Sequence, residues 1–291
     1  MSTEKPTILI QLDADPQPSV FDGVVAVDAG VQHLFRHGGV TPEKVKDLIF
    51  GAMFTRGFSD LKSTAVFVGG SDVAAGEALF EAVKSTFFGP FRVSAILDAN
   101  GCNTTAAAAV LAAIEGAGGS VEGVRAAVLG GTGPVGRRVA RLLARQGARV
   151  SIGSRRLDRA RDAAESLSAT VGARVDAFET GDDASLSAGL ADVAVVVASG
   201  TTGACLLPYA VRSKLERLRV LIDLNAVPPL GIEGVEANDK AVERQGIRCW
   251  GALGVGGTKM KIHRAAVRAL FTANDRVLDA EEIFEMGRAL A

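Results

Sequence analysis

The sequence predicts an α/β protein of two domains, each built on a mostly parallel sheet. Three observations carry that reading. Short, wholly apolar runs alternate with helical stretches, the pattern of strands covered by helices on both faces. A glycine-rich turn, Gly131-Thr132-Gly133-Pro134-Val135-Gly136, lies between one such run and one such helix. The 291 residues, 48% hydrophobic and 22% charged, suffice for one large core or two ordinary ones.

In the first block Thr7 to Leu12 reads as a strand, and Gly23 to Val27 is a second short apolar run. Thr41-Pro42-Glu43 opens a helix: threonine caps, proline suits the first turn, and glutamate favours the positive end of the dipole. Thr64 to Val68 is a buried strand stopped by Gly69-Gly70, and Asp72 starts an amphipathic stretch to about Phe87. Phe91 to Leu97 is a strand ending at Asp98. The alanine-rich run Thr104 to Ala117 is a helix closed by Gly118-Gly119.

In the second block, strands are readable at Ala126–Leu129, Arg149–Ile152, Asp192–Ala198, Val220–Leu224 and Ile247–Trp250. Helices at Val135–Gln146 and Leu157–Leu167 separate the first of them. Gly251 to Gly257 then leads into two helices, from about Thr258 and from Asp279, the latter with a capping-box start, Asp279-Ala280-Glu281-Glu282. The expected domains are residues 1–120, joined by the terminal helices of 258–291, and residues 121–257.

Composition excludes several classes of function. A formal net charge of −1 gives no global basic field for nucleic acid or an anionic membrane. No apolar run has membrane-spanning length, and the first residues lack a signal-peptide core. Cys102, Cys205 and Cys249 are far apart and odd in number, which argues against a disulfide framework or a zinc site. A reduced, cytoplasmic setting is expected. His33 and His37 stand four apart, a possible ligand pair on a helix, but no third ligand is near and Gly38-Gly39 follows at once. A surface or capping role is the stronger reading, and no metal is expected. No serine nucleophile elbow is present.

The glycine turn follows a strand and opens a helix in a unit of strand, helix and strand, the context that a dinucleotide fingerprint requires. Gly131 permits the tight turn, Gly133 leaves room for a pyrophosphate, and Gly136 lets helix and strand pack closely. Unpaired N–H groups and the helix dipole favour the anion. The turn therefore points to a Rossmann-type domain. Its second strand ends at Ile152-Gly153-Ser154-Arg155-Arg156, without the acid that would hold a ribose 2′-hydroxyl. Serine and arginine there suit a 2′-phosphate instead, so NADP is the expected cofactor, with NAD a possible second. Ser154 and Arg155 are assigned to the phosphate. Arg156 either stacks on adenine or is a solvated helix start. By position at strand ends, Ser199, Gly200, Asn225 and the glycine-rich Gly254 to Gly257, Gly256 among them, are further cofactor candidates.

Several stretches together resemble one family. They are Gln11-Leu12-Asp13-Ala14-Asp15, Pro18 to Asp22, Val68-Gly69-Gly70, Phe88 to Val93, Leu97 to Ala106, the glycine turn and Gly251 to Lys259. Over nearly its whole length the chain resembles the NAD(P)-dependent methylene-tetrahydromethanopterin dehydrogenases of methylotrophic bacteria. The resemblance implies oxidation of methylene-tetrahydromethanopterin to the methenyl form with NADP, a place in formaldehyde oxidation, and a homo-oligomer, trimeric or hexameric. It implies a pterin bound in the interdomain cleft near the nicotinamide, and activity on methylene-tetrahydrofolate in some relatives. It makes Lys259 the lysine that contacts the pterin, with a catalytic as well as a binding role. Asp13, Asp98, Asn100 and Asn103 are candidates for the pterin's polar edge; capping after a strand is the competing reading for the last three, and a turn or cap for Asp13. The distantly similar bifunctional folate enzymes carry a Tyr-x-x-x-Lys pair. Tyr209 is the single tyrosine here and Ser213 stands four residues on, which implies no cyclohydrolase activity.

Two other readings remain open on sequence. The Ser-Arg-Arg run also resembles shikimate- and quinone-type NADP oxidoreductases, in the cofactor half alone. A non-catalytic NADPH sensor would not need the polar set around Asp98 and Lys259.

Overall fold

A computed structural model of the chain describes residues 5–290. The elements run β1 (Ile8–Leu12), α1 (Val20–Asp28), β2 (His33–His37), α2 (Pro42–Phe54), β3 (Thr64–Val68), α3 (Val73–Thr86), β4 (Ser94–Leu97) and α4 (Cys102–Gly116). There follow β5 (Arg125–Leu129), α5 (Pro134–Arg145), β6 (Arg149–Ser154), α6 (Leu157–Val171), β7 (Asp176–Glu179), α7 (Asp183–Leu190), β8 (Val195–Ala198), α8 (Tyr209–Arg212) and β9 (Val220–Asp223). The chain continues through β10 (Val242–Arg244), β11 (Ile247–Trp250), α9 (Ala252–Ala269), β12 (Val277–Leu278) and α10 (Ala280–Arg288).

Two compact units result, Met1–Thr104 with Met260–Ala291, and Thr105–Lys259. The division falls inside α4, whereas the sequence pointed to the glycine pair after it. The cause is packing at the end of the helix: a Cβ on Gly116 would lie 2.8 Å from Val220 and 2.9 Å from Trp250, both on the second sheet.

The first unit holds a parallel five-stranded sheet in the order β12-β4-β3-β1-β2. Connections from β1 run one way to β2 and then cross to β3, so the strand order reverses between β1 and β3. Ligands in such sheets lie beyond the carboxyl ends of the strands at such a reversal. The second unit holds seven strands, β10-β11-β9-β8-β5-β6-β7, parallel except for the β10 edge, with the reversal between β5 and β8. This is the doubly wound order of a dinucleotide-binding sheet. Its core includes Ala127, Leu129, Val196, Leu207, Leu221 and Cys249.

Four local expectations need correction. The apolar run at 23–27 is helical: Ser19 caps α1 by accepting the Asp22 N–H at 3.3 Å, and valines on both faces hide the period. Val20 and Val27 are exposed at 70% and 62%, while Val25 is buried. His33 and His37 lie on the edge strand β2, where four residues span a strand and not a helical turn. Phe91 belongs to a tight turn bridged to Phe88, and β4 starts only at Ser94. Helix α9 begins at Ala252, so Gly254, Gly256 and Gly257 form its first turns and Lys259 lies in its second. The capping box at Asp279 is present in full, with Glu282 returning to the Asp279 N–H at 3.0 Å.

Candidate functional site

The turn after β5 has the geometry of an anion cradle. Gly130 adopts a φ of +71°, the left-handed conformation that favours glycine, so the tight turn lies one residue before Gly131. Gly131 is glycine for another reason: a Cβ there would meet Val128 O and Ile152 at 2.9 Å. At Gly133 a Cβ would touch only Gly130 O, at 3.5 Å, which leaves that side open. At Gly136 it would crowd Ser199 Oγ at 2.6 Å and Gly131 Cα at 2.7 Å, so α5 packs hard on the turn. Pro134 occupies the first helical position and Gly133 provides no side-chain cap. The first-turn N–H groups of Val135 and Gly136 therefore have no intrahelical acceptor. Thr132 is half-buried, and its carbonyl accepts from Arg137 Nε at 3.1 Å.

The β8 loop closes the other side of this reversal. Ser199 N–H donates to Leu129 O at 2.9 Å, and Ser199 Oγ to the same oxygen at 3.2 Å. A Cβ on Gly130 would lie 2.4 Å from Gly200 Cα, so the two loops meet backbone to backbone. Asn225, after β9, is used within its own loop: it donates to Pro229 O at 3.1 Å and accepts the Val227 N–H at 3.0 Å. Beside it Asp223 accepts the Asn225 and Ile232 N–H groups at 3.0 and 2.9 Å. Burial raises the Asp223 carboxyl above its ordinary range against those bonds. Gly256, inside α9, has open space where a Cβ would stand.

At the end of β6 the two arginines differ. Ser154 Oγ accepts the Arg156 N–H at 3.3 Å. The Arg156 guanidinium is held by both oxygens of Asp158, and that pairing pulls the Asp158 carboxyl down to about 2. Arg155 is exposed and has no acidic partner among the described residues. The loop after β7 borders it, with Thr180 N–H donating to Ser154 O at 2.9 Å and a Cβ on Gly181 lying 3.8 Å from Arg155 O. Gly130, Arg137 and this 180–181 wall were missed on sequence. A glycine ending the strand was the available sign for the first; nothing marked the other two.

In the first unit, three loops at the carboxyl ends of β1, β3 and β4 are tied together. Asp15 accepts from Ser71 N–H at 2.7 Å and Ser71 Oγ at 2.9 Å, and Asn100 N–H donates to Gly70 O at 2.7 Å. Asp13 is wholly buried. Its Oδ2 accepts the Ser19 N–H at 2.7 Å and Gln11 Nε2 at 3.1 Å, while Oδ1 has no hydrogen-bond partner and sits where a Cβ on Gly69 would be 2.5 Å away. Burial raises the Asp13 carboxyl, and nearby Asp15 adds to that.

Asp98 is also wholly buried and starts α4. It accepts the Asn103 and Thr104 N–H groups at 2.9 and 3.1 Å and Thr104 Oγ1 at 2.7 Å. Asn103 Nδ2 donates to Leu97 O at 2.6 Å and to Asp279 Oδ1 at 2.9 Å, which ties β4 to the start of α10. Asn100 is exposed with a φ of +52°. Lys259 is half-buried on α9. No group of three or more His, Cys, Asp and Glu among the described residues is placed to hold a metal. No described helix is long and apolar enough to cross a membrane.

Comparison with known proteins decides the family. Residues 20–100 match the family described as methylene-tetrahydromethanopterin dehydrogenase, N-terminal. A protein of Methylorubrum extorquens named bifunctional protein MdtA is 49% identical over 98% of this chain and 99% of its own. The chain belongs to the methylene-tetrahydromethanopterin dehydrogenase family. Residues 125–205 match the family described as NADP oxidoreductase, coenzyme F420-dependent. A second Methylorubrum extorquens protein, named NAD(P)-dependent methylenetetrahydromethanopterin dehydrogenase, is 28% identical over 98% of the chain and 99% of its own. Among solved structures, quinate dehydrogenase from Corynebacterium glutamicum superposes with a TM-score of 0.50 at 14% identity, covering 98% of this chain and 99% of that one. That likeness is one of fold alone.

Proposed function

We propose that the protein oxidises methylene-tetrahydromethanopterin to methenyl-tetrahydromethanopterin by direct hydride transfer to NADP, as a step of one-carbon metabolism. The observation that carries the cofactor half is Arg155, exposed and unmatched by an acid, at the strand end beside a glycine turn with unpaired N–H groups. When bound, NADP supplies the hydride acceptor. The turn from Gly131 to Gly136 binds the pyrophosphate, and Ser154 and Arg155 bind the 2′-phosphate. NAD, lacking that phosphate, is the weaker partner. Arg156 has its charge occupied by Asp158 and contributes less.

Loss of hydride from the methylene carbon is assisted by the two flanking nitrogens, which delocalise the resulting cation. No protein base is required, and positioning is the enzyme's main contribution. Orientation of this kind supplies about 7–11 kcal/mol in favourable cases. Lys259 and exposed Asn100 are the groups assigned to the pterin. Asp98 and Asn103 have their polar atoms engaged at the start of α4, so they hold Asn100's loop in shape and do not themselves reach the substrate. Asp13 likewise organises the loop after β1. Methylene-tetrahydrofolate, which shares the reacting ring region, is expected as a second substrate. The working form is a cytoplasmic homo-oligomer, trimeric or hexameric.

The test is to mix the purified protein with methylene-tetrahydromethanopterin and NADP and follow NADPH absorbance. Turnover with this pair, and none with quinate or shikimate, is expected. NADP binding without turnover would favour a sensor and overturn the reading.

A further inference from the structure

One buried ionisable side chain is not used by the proposed reaction. His263, on α9, is 0% exposed in the middle of the first unit. Its ring stacks on Phe67 of β3, with centroids 5.6 Å apart and planes 17° apart, and Phe21 of α1 lies 6.3 Å away. Its Nδ1 stands 3.9 Å from Asp98 Oδ2, the oxygen that also accepts from Thr104. His263 thus touches β3, α1 and the carboxylate that starts α4.

Lys259 is one turn earlier on the same helix, and residues four apart share a helix face. Toward the N-terminus from Lys259, Gly256 and Gly257 carry no side chains and have open space where a Cβ would stand; beyond them Gly254 packs on backbone and Val255, 2% exposed, offers only nonpolar contact. Toward the C-terminus the first wholly buried side chains are Ile262 and His263, at 1% and 0% exposure. Ile262 offers only nonpolar contact. His263 adds a fixed ring plane and an ionic neighbour, which set the rotation of the helix about its axis as well as its depth.

We infer that His263 is a positioning residue for Lys259: clamped between Phe67 and Asp98, it fixes the helix face from which Lys259 meets the pterin. This rests on the role given to Lys259 above. It assigns no proton transfer to the imidazole.

The experiment is a double-mutant cycle on the full-length enzyme with His263→Gln, His263→Phe and Lys259→Ala, assayed for methylene-tetrahydromethanopterin and NADP separately. Either His263 variant is expected to raise the pterin KM about 10-fold with a smaller loss of kcat and an unchanged NADP KM. In the Lys259→Ala background the same substitution should change the pterin KM by less than about 2-fold. A merely structural histidine would lower Tm and the active fraction but leave the pterin KM of the folded enzyme alone, and that result overturns the inference. Additive effects with an intact Lys259 contribution also overturn it, while leaving the proposed function standing. An unchanged pterin KM in Lys259→Ala alone would instead remove the role of Lys259, and this inference with it. Should His263→Phe not fold, His263→Gln and Phe67→Leu carry the same test, the latter removing the stack from its other side.

Discussion

The strand ends of the two sheets use their residues in opposite ways. At the β5–β8 reversal the chain withholds side chains: Gly130, Gly131, Gly136 and Gly200 let the backbone pack where a Cβ would collide, and Gly133 leaves open space beside the unpaired first-turn N–H groups of α5. At the β1–β3 reversal it supplies polar side chains and then consumes most of them internally. Asp98 accepts three hydrogen bonds from the start of α4, Asn103 spans to Asp279, and Asp15 ties down Ser71. A pyrophosphate can be bound by backbone and dipole alone, so its site is written as missing side chains. A pterin edge needs a particular set of donors and acceptors, and those must be held by a scaffold of further polar groups. Polar residues at strand ends therefore divide into those that present and those that support.

That contrast can be broken most sharply at Gly136. Gly136→Ala puts a methyl group against Ser199 Oγ and the Gly131 backbone, and is expected to cost about 1–3 kcal/mol of stability with loss of NADP binding. Thermal unfolding with and without NADP measures both, and an unchanged Kd would show that the helix does not need to approach the turn. Next comes Arg155→Ala, expected to raise the NADP KM about 10- to 100-fold through lost charge-assisted hydrogen bonds, with little change for NAD. Equal changes for both cofactors would remove the phosphate assignment.

A smaller effect tests the supporting side. Burial raises the Asp13 carboxyl above its ordinary 3.8, so folding disfavours its ionised form. Below 3.8 both states are protonated and no penalty exists; stability falls as pH rises from there through the raised value, and the penalty is then constant. Asp13→Asn cannot ionise. Its stability relative to the parent should therefore increase from pH 3 to neutrality in urea titrations, and a difference independent of pH would refute the assignment. Smallest is Arg156→Ala, expected to change NADP KM by only about 2- to 3-fold because Asp158 already holds the guanidinium in an exposed pair.

Much of this was legible in the sequence where local chemistry dominates. The wholly apolar strands, the turn between β5 and α5, and the Asp279 capping box are all signalled within a few residues. β2 was not, because an edge strand reading His-Leu-Phe-Arg-His has neither an apolar run nor clean alternation. α1 was misread because its exposed face carries valines. The start of α9 was hidden by glycines, which weaken a helix signal without preventing the helix. Within the candidate site, Arg155 and Arg156 are adjacent and alike in sequence. Only the Asp158 partner, fixed by the start of α6, separates them. Asp98 and Asn100 likewise look equivalent until hydrogen bonds show one engaged and the other exposed.

In the proposed reaction hydride passes directly from the pterin-bound methylene group to the nicotinamide, with no proton acceptor from the protein. Methylene-tetrahydromethanopterin deuterated at the methylene carbon tests it in one turnover with NADP. Deuterium is expected at C4 of the NADPH formed, with none released to solvent. Deuterium appearing in water, or NADPH without label, would contradict it.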